Sequence, residues 1–366
     1  MAPRWTREQA MAWRDSRAWI RGCNYMSADC HNRVDQWQEY GFEERLSTTD
    51  RELAAAAELG FNSVRLILNE PVWEMQHDGF MQRLNRYLNV CASHGISAMI
   101  CFGNDCCVPK AYYKPPVMGP QTCDIGYHGG RKNSQHGSFP GEVGYCPIDE
   151  EDVAERWYSM VEEIIGTYAS DPRVIIWDMY NEPGGNNRAL KCLTPLRRFF
   201  EIARSIDPVQ PLTVGYWGGP CKWKDIEAGD NELVNLIFEN SDVISFHNYA
   251  DYETIVREVM QLKKYGRPLL NTEWLNRITH NDVFSVFPLY ALEKVGCYCW
   301  GLVAGLYQTY EPWESLWKAY ENGRRDIDLT KWQHDLLRPS LRPYDPAETE
   351  LIKRWTAYAD GADNLK

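Results

Sequence analysis

Residues 174–183 read VIIWDMYNEP, and the rest of the chain can be read outward from them. Val174, Ile175, Ile176 and Trp177 follow one another with no apolar–polar alternation, which marks a strand covered on both faces, the habit of parallel sheets. Pro183 cannot donate to a ladder, so the strand ends at Asn181 and Glu182 and leaves a carboxylate at its C-terminal tip. Upstream, apolar residues fall at helical spacing at Val153, Trp157, Val161, Ile164, Ile165 and Tyr168. Asp171-Pro172 then breaks that helix just before the strand. A helix feeding a fully buried strand is the unit of parallel α/β architecture.

The same unit repeats. Short β-branched runs at residues 19–25, 62–68, 96–102, 212–216, 243–249, 268–274 and 297–305 alternate with helical stretches. With 174–182 they make eight, which predicts a closed (β/α)8 TIM barrel, an α/β fold in a single domain over residues 1–366. A doubly wound open sheet is the rival, but no Gly-rich phosphate turn follows the first run. Thr49-Asp50-Arg51-Glu52 reads as a capping box that starts a helix stopped at Gly60. Two long stretches lack a convincing period, about 103–147 and 307–345. They follow the third and eighth strands, where a barrel carries its lids and binding loops.

A second carboxylate ends another apolar run, in Asn271-Thr272-Glu273-Trp274. Two carboxylates on different strands at one rim are what glycoside hydrolysis requires: one protonates the leaving oxygen, the other attacks the anomeric carbon. The pairing of Asn181-Glu182-Pro183 with Glu273 resembles the retaining (β/α)8 glycoside hydrolases, the superfamily of family 5 cellulases, mannanases and β-mannosidases. The architecture matches over nearly the whole chain, and the motifs match at strand ends.

That resemblance implies a retaining β-glycoside hydrolase with Glu182 as acid/base and Glu273 as nucleophile. It assigns Asn181 to the sugar 2-hydroxyl, Arg65 to the neighbourhood of the nucleophile, His247 and Tyr249 to the sixth strand's His-X-Tyr, and Trp300 to the eighth strand's sugar platform. The chemistry agrees. Arg65 and Tyr249 are expected to hydrogen-bond Glu273 and lower its pKa. Glu182 must stay protonated near neutral pH, which needs apolar walls and a negative neighbour. His247 and Tyr249, two apart on a strand, face the same side. The third strand departs from the family, which often has a His after it. Here the chain reads Cys101-Phe102-Gly103-Asn104-Asp105, and Asn104 or Asp105 is expected to bind sugar hydroxyls instead.

Other chemistry-bearing residues take plainer readings. Asp178 lies deeper than Glu182 and reads as a buried structural carboxylate. Glu70, before Pro71, reads as a surface loop residue, and His94 and His334 as solvated. Cys106, Cys107, Cys123, His128, His136 and Cys146 are spaced too irregularly for a tetrahedral metal site, so no metal and no cofactor is expected. Trp73, Trp217, Trp223 and Trp313 lie near strand ends or rim loops and together favour a sugar-lined pocket.

Composition bounds the rest. Of 366 residues, 44% are hydrophobic and 25% charged, which excludes a disordered or fibrous chain. The 15 Trp and 21 Tyr suit sugar faces as well as a large core. A net charge of −12 argues against nucleic acid as a partner, and no apolar run approaches the length of a membrane span. The first twenty residues hold no secretory hydrophobic core, and the 12 Cys are scattered, several in strand-like runs. A reducing cytoplasm without a disulfide framework is therefore expected. The expected partner is an oligosaccharide or small glycoside, a β-mannoside, β-glucoside or β-xyloside cut from its end because the two insertions crowd the site. Nothing here sets an oligomeric state. Two other classes stay open: a non-catalytic carbohydrate-binding barrel, which would more plausibly have lost one Glu, and a metal-dependent barrel hydrolase, for which only His247 qualifies as a ligand.

Overall fold

A computed structural model describes residues 1–123, 128–130, 141–217 and 231–361. The strands are β1 (Arg21–Asn24), β2 (Ser63–Ile67), β3 (Ser97–Asn104), β4 (Val174–Asn181), β5 (Leu212–Gly215), β6 (Ile244–His247), β7 (Leu269–Trp274) and β8 (Gly296–Trp300). Each falls within or across the run expected for it, and neighbouring strands pair in parallel, in the order β5-β4-β3-β2-β1-β8-β7-β6. The ring closes between β5 and β6 through a parallel bridge of Tyr216 with Phe246 and a bond from His247 N–H to Tyr216 O of 2.9 Å. The chain therefore forms a (β/α)8 barrel.

Strand residues are buried nearly throughout because helices cover the outside and side chains fill the inside. The barrel floor is an apolar plug of Ile20, Met99, Ile176, Val243, Leu270 and Tyr298. The helix Glu151–Tyr168 turns Trp157, Val161, Ile164, Ile165 and Tyr168 inward, as its spacing predicts. The expected capping box is not a helix start. The helix begins at Phe42 and runs to Glu58, with Thr49 and Glu52 buried in its middle. Glu52 accepts from Tyr25 OH at 2.8 Å and Ala28 N–H at 3.1 Å, tying the helix to the loop after β1. A tertiary partner has taken the carboxylate that a local motif would have used.

The eighth strand is shorter than expected. At Gly301, φ is +77°, and a Cβ would lie 2.2 Å from Asp335 Oδ1, so the chain leaves the sheet there. Glu70 is also corrected: it starts the helix Glu70–Met75, is 2% exposed and pairs with Arg156 at 3.1 Å. Trp73 on the same helix belongs to the outer core, its Nε1 donating to Glu163. No helix among the described residues is long and apolar enough to cross a membrane.

Candidate active site

Parallel register brings the polar strand ends side by side. Asn24 aligns with both Arg65 and Trp300, Asn104 with Asn181, and His247 with Glu273. Above the apolar floor these side chains make a polar layer centred on Arg65, which is 1% exposed. Its Nε donates to Asp178 at 2.8 Å, its Nη1 to Asn24 at 2.9 Å and Glu273 Oε1 at 3.0 Å, and its Nη2 to Asn181 Oδ1 at 2.7 Å. Asp178 also accepts from Gly215 N–H at 2.9 Å, which makes it the buried carboxylate expected. Gly215 permits the close approach, since a Cβ there would lie 2.8 Å from His247 Nε2 and 2.9 Å from Arg65 Nη2.

Glu273 has both oxygens bonded: Oε1 to Arg65, and Oε2 to Tyr249 OH at 2.8 Å. The expectation of a lowered pKa does not hold. Burial raises it first and the charge of Glu182 adds to that; His247, Arg65 and Tyr249 pull it down without cancelling burial.

Glu182 follows β4 in the left-handed region, φ +49°, directly before Pro183, where extended backbone is preferred. Its amide donates to Gly215 O at 2.7 Å and its carbonyl accepts from Gly185 N–H at 2.9 Å. These bonds aim the side chain back over the barrel. Oε1 sits 2.8 Å from His247 Nδ1 and Oε2 2.9 Å from Cys106 Sγ. Burial pushes His247 down to about 4, so its ring is neutral near neutral pH. A neutral imidazole can donate to an ionised Glu182 or accept from a protonated one, which suits a group that must change state.

Ligand atoms of Glu182, His247 and Glu273 lie within 4.8 Å of one another. Three such donors could hold a metal, but the Arg65 guanidinium occupies Glu273 and His247 bonds Glu182 directly. The same bound holds between one oxygen of Glu182 and one of Glu273, so the two carboxylates form a close pair.

The other expected site residues divide. Asn181 is oriented by Arg65 and by its bond to Asn104 Oδ1 at 2.9 Å. Trp300 closes β8 with its ring 5.8 Å from that of His128. Trp313 lies edge-on to Tyr249 at 5.3 Å, whereas Trp217 is half-exposed beyond β5. Asp105 is not brought into the cleft. It is fully buried, with its oxygens on Arg188 Nε at 2.6 Å, Tyr180 OH at 2.9 Å and Gly184 N–H at 2.7 Å. It ties the loop after β3 to the turn after β4.

His94 stays near the surface beside Asp50 at 2.8 Å, but His334 is fully buried rather than solvated. Its Nδ1 bonds the carbonyl of Leu275, which holds φ +81° two residues beyond Glu273. Burial pushes this ring down to about 3. His334→Ala should cost about 2–4 kcal/mol in urea unfolding, from lost packing and an unpaired carbonyl. It should also lower kcat more than it raises KM, because Glu273 loses the turn that aims it.

Sequence reasoning missed Asn24, Cys106 and Tyr307. Asn24 carried the signal used for Asn181, a polar end to a buried strand. Cys106 and Tyr307 sit in loops with no such period. Among the described residues, the Cys and His of the first insertion form no cluster of three ligand atoms. His136 and Trp223 lie outside the described residues. His128 instead packs its ring 4.0 Å from that of Tyr307.

A closed barrel with two rim carboxylates, an arginine on one and an imidazole between them is a glycoside hydrolase scaffold. The family model for cellulase (glycosyl hydrolase family 5) matches residues 24–281, more than half of the chain. The chain belongs to glycosyl hydrolase family 5, whose members act on carbohydrates.

Solved structures share the fold. An exo-β-1,4-mannosidase, Op5Man5, from Opitutaceae bacterium strain TAV5 is 17% identical with a TM-score of 0.59, over 94% of this chain and 60% of that one. This chain thus spans less than two thirds of that relative's length. The endo-β-1,4-mannanase of Thermotoga petrophila is 15% identical, TM-score 0.56, over 95% and 78% of the two chains. The GH5_18 protein of Streptomyces cattleya, solved with GlcNAc, is 14% identical, TM-score 0.56, over 93% and 80%. No curated protein sequence matches the chain.

Proposed function

We propose that this glycoside hydrolase is a retaining exo-acting β-glycosidase, with Glu273 as nucleophile and Glu182 as acid/base. The carboxylate separation and the bonds from Arg65 and Tyr249 to Glu273 support the division of roles. Asn181, Asn24, His247 and Trp300 would surround the sugar at the cleavage point, and Asn104 would orient Asn181 rather than meet the sugar first. Cytoplasmic residence belongs to the same proposal, supported by the free thiols of Cys23, Cys101, Cys297 and Cys299 within the strands.

One observation carries the exo assignment: the two insertions meet beside Trp300. Gly130 N–H bonds Pro312 O at 3.0 Å, the His128 ring lies on Tyr307, and Leu306 N–H bonds Ala28 O at 2.8 Å. The anomeric carbon must lie against Glu273 and its leaving oxygen against Glu182. In this reading the rest of the glycone points toward Trp300 and this wall, which favours a single terminal sugar on that side.

The test uses purified protein on a β-linked oligosaccharide series and its parent polysaccharide, with aryl β-mannoside, β-glucoside and β-xyloside in parallel. Monosaccharide should appear from the first minutes while the polymer's viscosity holds. An early viscosity drop with mid-sized products would reject exo action.

A further inference from the structure

Glu182 has a neighbour to which the reaction as drawn gives no part. Cys106 Sγ lies 2.9 Å from Glu182 Oε2, with the thiol as donor, and Asn181 Nδ2 reaches the same sulfur at 3.6 Å. The contact is held from three sides. Asp105 N–H extends the β3–β4 ladder to Asn181 O at 3.1 Å. Asn104 Oδ1 accepts from Cys106 N–H at 3.1 Å. The buried Asp105 carboxylate fastens this loop to Gly184, two residues beyond Glu182. Cys106 and Glu182 are thereby fixed against each other through both backbones.

We propose that Cys106 is a positioning residue for the acid/base step: its thiol fixes the Glu182 carboxyl in place while pulling only weakly on the proton that the carboxyl must hold and give up near neutral pH. The proposal rests on the acid/base reading of Glu182. In the first step that carboxyl gives its proton to the leaving oxygen, and in the second it takes one from water. A strong donor on Oε2 would stabilise the anion and make the proton too easily lost before substrate binds. A hydroxyl is such a donor; a thiol is a weak one. Sulfur fills the contact and sets the rotamer with little pull on the proton. Cys106 keeps its own proton, since burial and then the Glu182 charge raise its pKa.

Among the described residues, the groups that act on this pair include the neutral His247 on Oε1, the Glu273 carboxylate with Tyr249 and Arg65 bonded to it, and, on the thiol's side, Arg33 and Tyr307. Exchanging only the sulfur leaves each of these residues present.

The experiment is the pH profile of kcat/KM on an aryl β-glycoside for wild type, Cys106→Ser and Cys106→Ala, each also combined with Glu182→Gln. The wild-type basic limb should vanish in Glu182→Gln. Cys106→Ser should move that limb down by roughly half a unit to one unit, the net worth of one hydrogen bond. Cys106→Ala, which only removes an atom and guards against misfolding, should move it up by a smaller step. Neither change should alter the Glu182→Gln profile. If both Cys106 variants keep turnover and their basic limbs stay within about 0.2 unit of wild type, the proposal is overturned while the role of Glu182 stands. An equal shift in the Glu182→Gln background also overturns it, as a general packing effect. A basic limb that persists in Glu182→Gln removes the acid/base reading itself, and the proposal with it.

Discussion

Glu273→Ala should reduce turnover to the detection limit on every substrate, because no glycosyl-enzyme bond can form. Glu182→Ala should behave differently. Its loss should reach about 10²–10⁴-fold for poor leaving groups, the usual worth of a general acid, and shrink for activated aryl glycosides that depart without protonation. Azide separates the two roles. In Glu182→Ala the glycosyl-enzyme still forms, and azide displaces Glu273 from it to give a β-glycosyl azide. In Glu273→Ala azide attacks the substrate in place of the missing carboxylate and gives the α-azide from an activated donor. The product anomer, read by NMR, reports each role separately. A β-azide from the Glu273 variant would reverse the assignment.

The second large effect is expected at Arg65, which is bonded at once to Asp178, Glu273, Asn24 and Asn181. Arg65→Met keeps much of the volume but strands two buried carboxylates. Breaking a buried pair of this kind costs about 3–5 kcal/mol, so the variant should unfold at markedly lower urea and show no measurable turnover. Arg65→Lys restores charge without the fork and should recover stability better than activity. The pH profile gives the sign. Arg65 pulls the Glu273 pKa down against a larger upward push from burial, so weakening that bond raises it further. The acid limb of kcat/KM, where ionised Glu273 is lost as pH falls, should therefore move to higher pH in Arg65→Lys. A limb that stays put or moves lower would show that Arg65 does not act on Glu273.

The barrel was legible in the sequence because strands buried on both faces read as unbroken apolar runs, and because the two carboxylates stood at the ends of such runs. Strand ends then set Glu182 and Glu273 at one rim, and parity put His247 on the same side as Tyr249, without knowledge of the loops. What sequence reading lost was decided by contacts between distant segments. Glu52 and His334 carry local patterns of a helix start and a solvated loop, yet each serves a backbone group brought to it by folding. Asp105 looked like a sugar ligand because it follows a strand end, but Arg188, more than eighty residues away, claims its carboxylate. The raised pKa of Glu273 was missed for a related reason: its partners can be read from motifs, whereas the depth of its burial comes from the whole barrel.

The wiring of Arg65 also bears on how this protein acquires its shape. Its partners lie 113 residues away at Asp178, 116 at Asn181 and 208 at Glu273. A half-built sheet holding only the first four strands can offer the guanidinium Asp178 and Asn181, but Glu273 arrives with β7, near the end of the chain. Contacts of such long separation are slow to close and add little until the ring is complete. The charge balance at the centre of the molecule thus makes ring closure cooperative: a barrel missing its last strands lacks both the bonds that settle its interior and the pair of acids that would work there.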